Sequence, residues 1–113
     1  MSFLELLKKL AERRRLYVEN LHRFLQLIKE TVRRYDPTAR VLLFGSYAEG
    51  GQRPDSDIDV LIITELAADE EARMRLRREI DNVLGANPFE LHIVTPEQYS
   101  GWYAKFIKKW IEI

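Results

Sequence analysis

Apolar residues in the first third of the chain recur at helical spacing. Phe3, Leu7, Leu10, Tyr17, Leu21, Phe24, Ile28 and Val32 form one stripe, with Leu4, Val18 and Leu25 beside it. Residues 3–35 hold neither Gly nor Pro, so a long N-terminal helix is expected over 1–35. The stripe turns charged at Glu12-Arg13-Arg14-Arg15. An unbroken helix of this length would reach about 50 Å at ~1.5 Å per residue, more than one small core can cover. Either it breaks near Arg13–Arg15, or its first turns pack on another molecule. Asp36-Pro37 ends it, because the residue before proline avoids helical geometry.

Beyond Pro37 the period changes. Arg40–Phe44 reads as a short strand with an unbroken apolar run, as expected where both faces are covered. Gly45 permits a tight turn, and Ser46 is placed to cap a short helix over 46–50. Gly50-Gly51-Gln52-Arg53-Pro54-Asp55 is turn-forming throughout. Ile58–Thr64 is the second strand. Asp69-Glu70-Glu71 opens a helix that runs to about Leu84, with Ala72, Leu76, Ile80 and Val83 as its buried stripe and Arg73, Arg75, Arg77 and Arg78 in solvent. Gly85 stops it. Pro88–Val94 is the third strand. Thr95 caps a last helix with Pro96 at its first position. Trp102, Tyr103, Phe106, Ile107 and Trp110 give that segment an aromatic stripe, for a core or an interface, and Ile111-Glu112-Ile113 adds an edge strand. The pattern is α/β (α+β): a small mixed β-sheet of three to four strands packed with helices.

At 113 residues, 46% apolar and 32% charged, the chain fits one globular domain spanning 1–113. It has no cysteine, which excludes a disulfide framework and thiolate metal sites and fits a cytoplasmic protein. No apolar run approaches a membrane span, and Met1-Ser2-Phe3-Leu4-Glu5 lacks a signal-peptide layout. The net charge of zero hides an asymmetry: residues 1–40 carry 10 Lys/Arg and 5 Asp/Glu, and residues 41–113 carry 8 and 13. A basic helix complements an acidic half, or offers a face to nucleic acid or an acidic partner.

The chemistry gathers at residues 41–63. Asp57 and Asp59 stand i and i+2 at the mouth of the second strand, so their carboxylates share a face while Ile58 and Val60 point into a core. Adjacent acids repel unless a positive group lies between them, and a divalent cation is the usual one. Solvated strand-end acids, or partners for Arg40 and Arg53, are the plainer alternative. Gly45-Ser46 at a helix start offers free N–H groups and a hydroxyl to phosphate oxygens. Asp55-x-Asp57-x-Asp59 is not a calcium loop, since Val60 stands where that loop needs Gly and Leu66 where it needs Glu. Residues 45–51 lack the Lys-Ser/Thr of a P-loop. His22 reads as a structural histidine. His92, two residues on from Glu90 and on the same face, is placed to contact nucleotide or metal, but a lone strand histidine reads first as a structural hydrogen-bonding residue.

Gly45-Ser46 after a strand, ten intervening residues and Asp57-Ile58-Asp59-Val60 resemble the signature of the nucleotidyltransferase superfamily that includes DNA polymerase beta. Gly45-Ser46-Tyr47-Ala48 with Ser56-Asp57-Ile58-Asp59-Val60 is similar to the minimal nucleotidyltransferases of bacteria and archaea, over roughly residues 20–100. The resemblance implies the polymerase beta-like fold, with a catalytic core over 40–100 behind the long N-terminal helix. It implies two Mg²⁺ ions on Asp57 and Asp59, with Glu90 in Phe89-Glu90-Leu91 as the third, metal-binding and proton-accepting carboxylate. The family more often has Asp at that third position. It also often has Arg where this chain has Glu49, a role that Arg53 or Ser56 would fill beside Gly45 and Ser46 in binding nucleotide.

The implied activity is Mg²⁺-dependent transfer of an NMP, AMP from ATP, onto a hydroxyl. The implied acceptor lies on a helical HEPN-type toxin, which makes the chain an antitoxin. The alternative is a catalytically weak module that neutralises the toxin by stoichiometric binding. A homodimer through the N-terminal helix is a further expectation, because its stripe exceeds what one small sheet can cover.

Overall fold

The computed structural model describes residues 1–51 and 56–113. Its N-terminal helical stretch is divided into α1 (Phe3–Glu19) and α2 (Leu21–Arg33). The division falls at Asn20, not at the arginine cluster that the sequence pattern singles out. Asn20 sits at φ −116°, ψ 31°, and its side chain bonds back to the Leu16 carbonyl at 2.9 Å. A short amide that competes for backbone groups disturbs a helix, whereas arginines are good helix formers. The ladder nevertheless continues through Asn20, whose N–H donates to Leu16 and whose carbonyl accepts from Phe24. At the other end, Ser2 and Glu5 close a capping box on α1.

Four strands follow: β1 (Arg40–Phe44), β2 (Ile58–Ile63), β3 (Phe89–Val94) and β4 (Trp110–Glu112). They form one sheet in the order β3-β2-β1-β4. β2 pairs antiparallel with β1 and parallel with β3, and β4 closes the other edge antiparallel to β1. Between them lie α3 (Ser46–Glu49), a 3₁₀ turn at Glu65–Ala68 and α4 (Glu70–Leu84). Residues 96–106 form α5, which is α-helical over Pro96–Gln98 and Ala104–Phe106 and wound as π-helix over Tyr99–Tyr103. Thr95 caps it through a reciprocal pair with Gln98.

The main core lies on one face of the sheet. Val41, Leu43, Ile58, Val60, Ile62, Leu91 and Ile93 meet Leu25, Ile28 and Val32 of α2 and Leu76, Ile80 and Leu84 of α4. Leu84 takes the place expected for Val83, which is 40% exposed. Spacing of four residues keeps Leu76, Ile80 and Leu84 in one row. Arg77 is not wholly in solvent either, since it donates to the Leu91 carbonyl at 3.0 Å.

The opposite face holds Leu42, Leu61, Ile63 and Val94, covered by Phe44, Tyr99, Tyr103 and Ile107. Trp102, Phe106 and Trp110 of the expected aromatic stripe remain exposed. α1 is anchored at its C-terminal half alone. Tyr17 is its one buried residue and donates its hydroxyl to the Leu84 carbonyl, while Arg13 Nε donates to Ala86 at 2.7 Å. Phe3, Leu7 and Leu10 stay exposed.

Candidate active site

Strand register brings the site together. Asp59 of β2 stands opposite Phe44 of β1 on one side and Glu90 of β3 on the other. His92 lies two residues beyond Glu90 and therefore on the same face. Its Nε2 is 3.5 Å from Asp59 Oδ1 and 3.8 Å from Glu90 Oε1. One ligand atom from each of the three side chains lies within 4.8 Å of the others. Asp59 and His92 are half-buried, and Glu90 is exposed.

The imidazole is held from behind. His92 Nδ1 is 3.3 Å from the Tyr103 hydroxyl, and its ring meets Phe44 edge-on at 5.1 Å. Nε2 is buried and has no hydrogen-bond partner among the described residues. Two carboxylates and one orphaned imidazole nitrogen are a donor set that fits a divalent cation.

Gly45 follows β1 at φ 74°, ψ −155°, a region reserved to glycine. A Cβ there would overlap Asp59 Oδ2 and lie 3.2 Å from its Cγ. The backbone therefore runs against the carboxylate. Gly45 itself occupies the N-cap position of α3, and Ser46 is the first helical residue. This corrects the capping role expected of Ser46, since the N-cap position is taken by Gly45. Ala48 and Glu49 N–H groups return to the Gly45 carbonyl, so the N–H groups ahead of them lack an intrahelical partner.

Asp57 precedes β2, is exposed, and does not belong to the three-residue group. Ser56 is half-buried next to it. Arg53 lies outside the described residues. Glu49 is exposed and lines a groove of about 350 Å³ with Phe44, Gly45, Trp102, Phe106, Lys108 and Lys109. The sequence pattern did not single out the two lysines, which carry no motif and come into the groove that Gly45 lines through the path of the chain after α5. The i+2 spacing of His92 from Glu90 already marked their shared face, and the strand pairing sets that face beside Asp59.

The chain matches the model of the nucleotidyltransferase domain family over residues 25–112. A crystal structure described as a candidate nucleotidyltransferase is 29% identical, with a TM-score of 0.68 over 79% of this chain and 96% of that one. A mutant of the toxin-antitoxin MntA-HpeT shares the fold at 21% identity and a TM-score of 0.54, over 78% of this chain and 70% of that one. No curated protein matches.

Proposed function

The chain belongs to the nucleotidyltransferase domain family, and from that premise we propose that it transfers AMP from ATP to a hydroxyl on a partner protein. The observation that carries this reading is the meeting of Gly45 with Asp59, which joins the phosphate-binding turn to the carboxylates. Asp57, Asp59 and Glu90 are the residues assigned to Mg²⁺. Bound divalent ions neutralise the triphosphate and polarise its phosphorus. The N–H groups after Gly45 and the Ser46 hydroxyl hold phosphate oxygens. Lys108 and Lys109, which line the same groove as Glu49, supply positive charge where the family often has arginine; Arg53 and Ser56 are assigned the same service from the adjoining turn.

In the reaction the acceptor oxygen attacks the α-phosphorus and a new O–P bond forms. The bond from that phosphorus to the bridging oxygen breaks, and pyrophosphate leaves. The hydroxyl proton passes to Glu90.

A helical HEPN-type toxin is the acceptor implied by the resemblance of residues 45–60 to minimal nucleotidyltransferases, and the chain acts as its antitoxin. The exposed Phe3, Leu7 and Leu10 stripe of α1 gives such a partner, or a second copy of the chain, an apolar surface. No helix among the described residues is long and apolar enough to cross a membrane, which is compatible with the cytoplasmic setting we assign.

Glu49 in the groove favours a second reading, in which the chain masks the toxin and transfers little. The test is incubation with α-labelled ATP, Mg²⁺ and the candidate partner, beside an Asp57→Asn, Asp59→Asn double variant. Label on the partner that the variant fails to transfer is the expected result. A stable complex without label, with full neutralisation by the variant, would select masking instead.

A further inference from the structure

Taking the nucleotidyl-transfer reading as its setting, we propose that His92 is itself a metal ligand, and that it makes the Asp59–Glu90 site select Mn²⁺ over Mg²⁺. Three observations meet at its Nε2. The atom is buried and without a hydrogen-bond partner among the described residues. It faces both carboxylates, at 3.5 and 3.8 Å. The other ring nitrogen is engaged by Tyr103 at 3.3 Å.

The distances favour a shared ion over a direct hydrogen bond. Charge-assisted N–H···O bonds run at about 2.7–2.9 Å, well inside either separation. Ligand atoms about 2.0–2.2 Å from one ion stand roughly 3–3.6 Å apart in octahedral or tetrahedral arrangements. The closer pair falls in that range, and the longer one needs only a small movement of the exposed Glu90. When Nδ1–H donates to the Tyr103 oxygen, Nε2 turns its lone pair toward the two carboxylates. That arrangement is repulsive until a cation lies between them. A ligating histidine held through its second nitrogen is the usual second-sphere pattern of metal sites.

The donor type sets the preference. Mg²⁺ favours oxygen ligands, holds its waters and gains little from imidazole. Mn²⁺ takes carboxylates as readily, and later first-row ions gain more from nitrogen. Tyr103 is then a positioning residue, and the π-helical turn that carries it ties α5 to the metal site.

The test uses the whole chain, titrated separately with Mn²⁺ and Mg²⁺ by calorimetry, with electron spin-echo spectra of bound Mn²⁺. The expected result is Mn²⁺ binding at least about tenfold tighter than Mg²⁺, with nitrogen modulation in the echo. His92→Gln abolishes the modulation and weakens Mn²⁺ by about tenfold or more, with Mg²⁺ changed by no more than about twofold. Tyr103→Phe weakens Mn²⁺ but retains the modulation, which a purely structural tyrosine would not separate. Bound Mn²⁺ without nitrogen modulation, or equal weakening of both ions in His92→Gln, overturns the inference. If that happens while wild type still labels its partner with Mg²⁺, the transfer reading stands and the histidine assignment alone falls. If wild type binds neither ion, both fall.

Discussion

Gly45 lies against Asp59 so closely that no side chain fits between them: a Cβ on the glycine would overlap Oδ2 of the carboxylate. The turn we assign to phosphate and the strand we assign to metal are thus in direct contact. Gly45→Ala must leave the glycine-only region and displace Asp59 together. The backbone strain costs ~1–3 kcal/mol. We expect a lower urea midpoint and, beyond that, loss of divalent-ion affinity by calorimetry. A variant that lost stability but kept full ion affinity would show that the contact is structural only.

Lys108 and Lys109 line the groove beside Gly45 without packing into the core. A Lys108→Gln, Lys109→Gln variant should bind ATP about tenfold more weakly, equivalent to ~1.4 kcal/mol. Its thermal unfolding should match wild type. Unchanged ATP affinity would assign the triphosphate to other cations.

Tyr17 is the one buried side chain on α1, packed on Phe24 and Phe89 with its hydroxyl on the Leu84 carbonyl. Tyr17→Phe keeps the ring contacts and strands that carbonyl, at a cost of ~1–3 kcal/mol. Urea unfolding followed by circular dichroism measures it. Tyr17→Ala should also release α1 from the loop after α4, read as faster hydrogen exchange confined to α1.

Leu7 and Leu10 are exposed on the same helix. Leu7→Glu with Leu10→Glu should change the stability of the isolated chain by no more than about 0.5 kcal/mol, as for surface substitutions generally. The same change should abolish the complex with the partner, or the homodimer, in gel filtration. Retained assembly would place the interface elsewhere.

Acid should weaken the fold through two carboxylates. Burial pushes Asp36 up, but hydrogen bonds from the Thr64 and Thr38 hydroxyls and from the Thr38 and Glu65 N–H groups outweigh it and hold it below the usual aspartate value. Glu112 is lowered by its hydrogen bonds from Arg40, which link β4 to β1. A carboxyl lowered on folding binds protons less readily in the folded chain than in the unfolded one. Its stabilisation is therefore complete at neutral pH and is lost as the pH falls below about 4, through the folded values. Urea midpoints from pH 7 to pH 3 should fall for wild type and fall less steeply for Asp36→Asn.

The sequence by itself determined the elements and the address of the site. Periodicity located β1, β2, β3 and α4 to within a residue or two, because an apolar run or stripe records which side of an element must leave water. The spacing of Gly45, Ser46, Asp57 and Asp59 marked the candidate site for the same local reason: a turn and a strand mouth are short-range features. Tertiary structure alone decided the rest. Whether Glu90 faces Asp59 depends on the register of parallel strands separated by α4, and no local pattern encodes that pairing. The choice of Leu84 over Val83 and the placing of Lys108 and Lys109 in the groove with Gly45 follow from what packs against each element. His92 needed the most: its imidazole becomes a candidate ligand only once β3 aligns it with Asp59 and the π-turn of α5 sets Tyr103 behind it. A histidine's role lies in which nitrogen is held and which is left free, and only the assembled neighbours settle that.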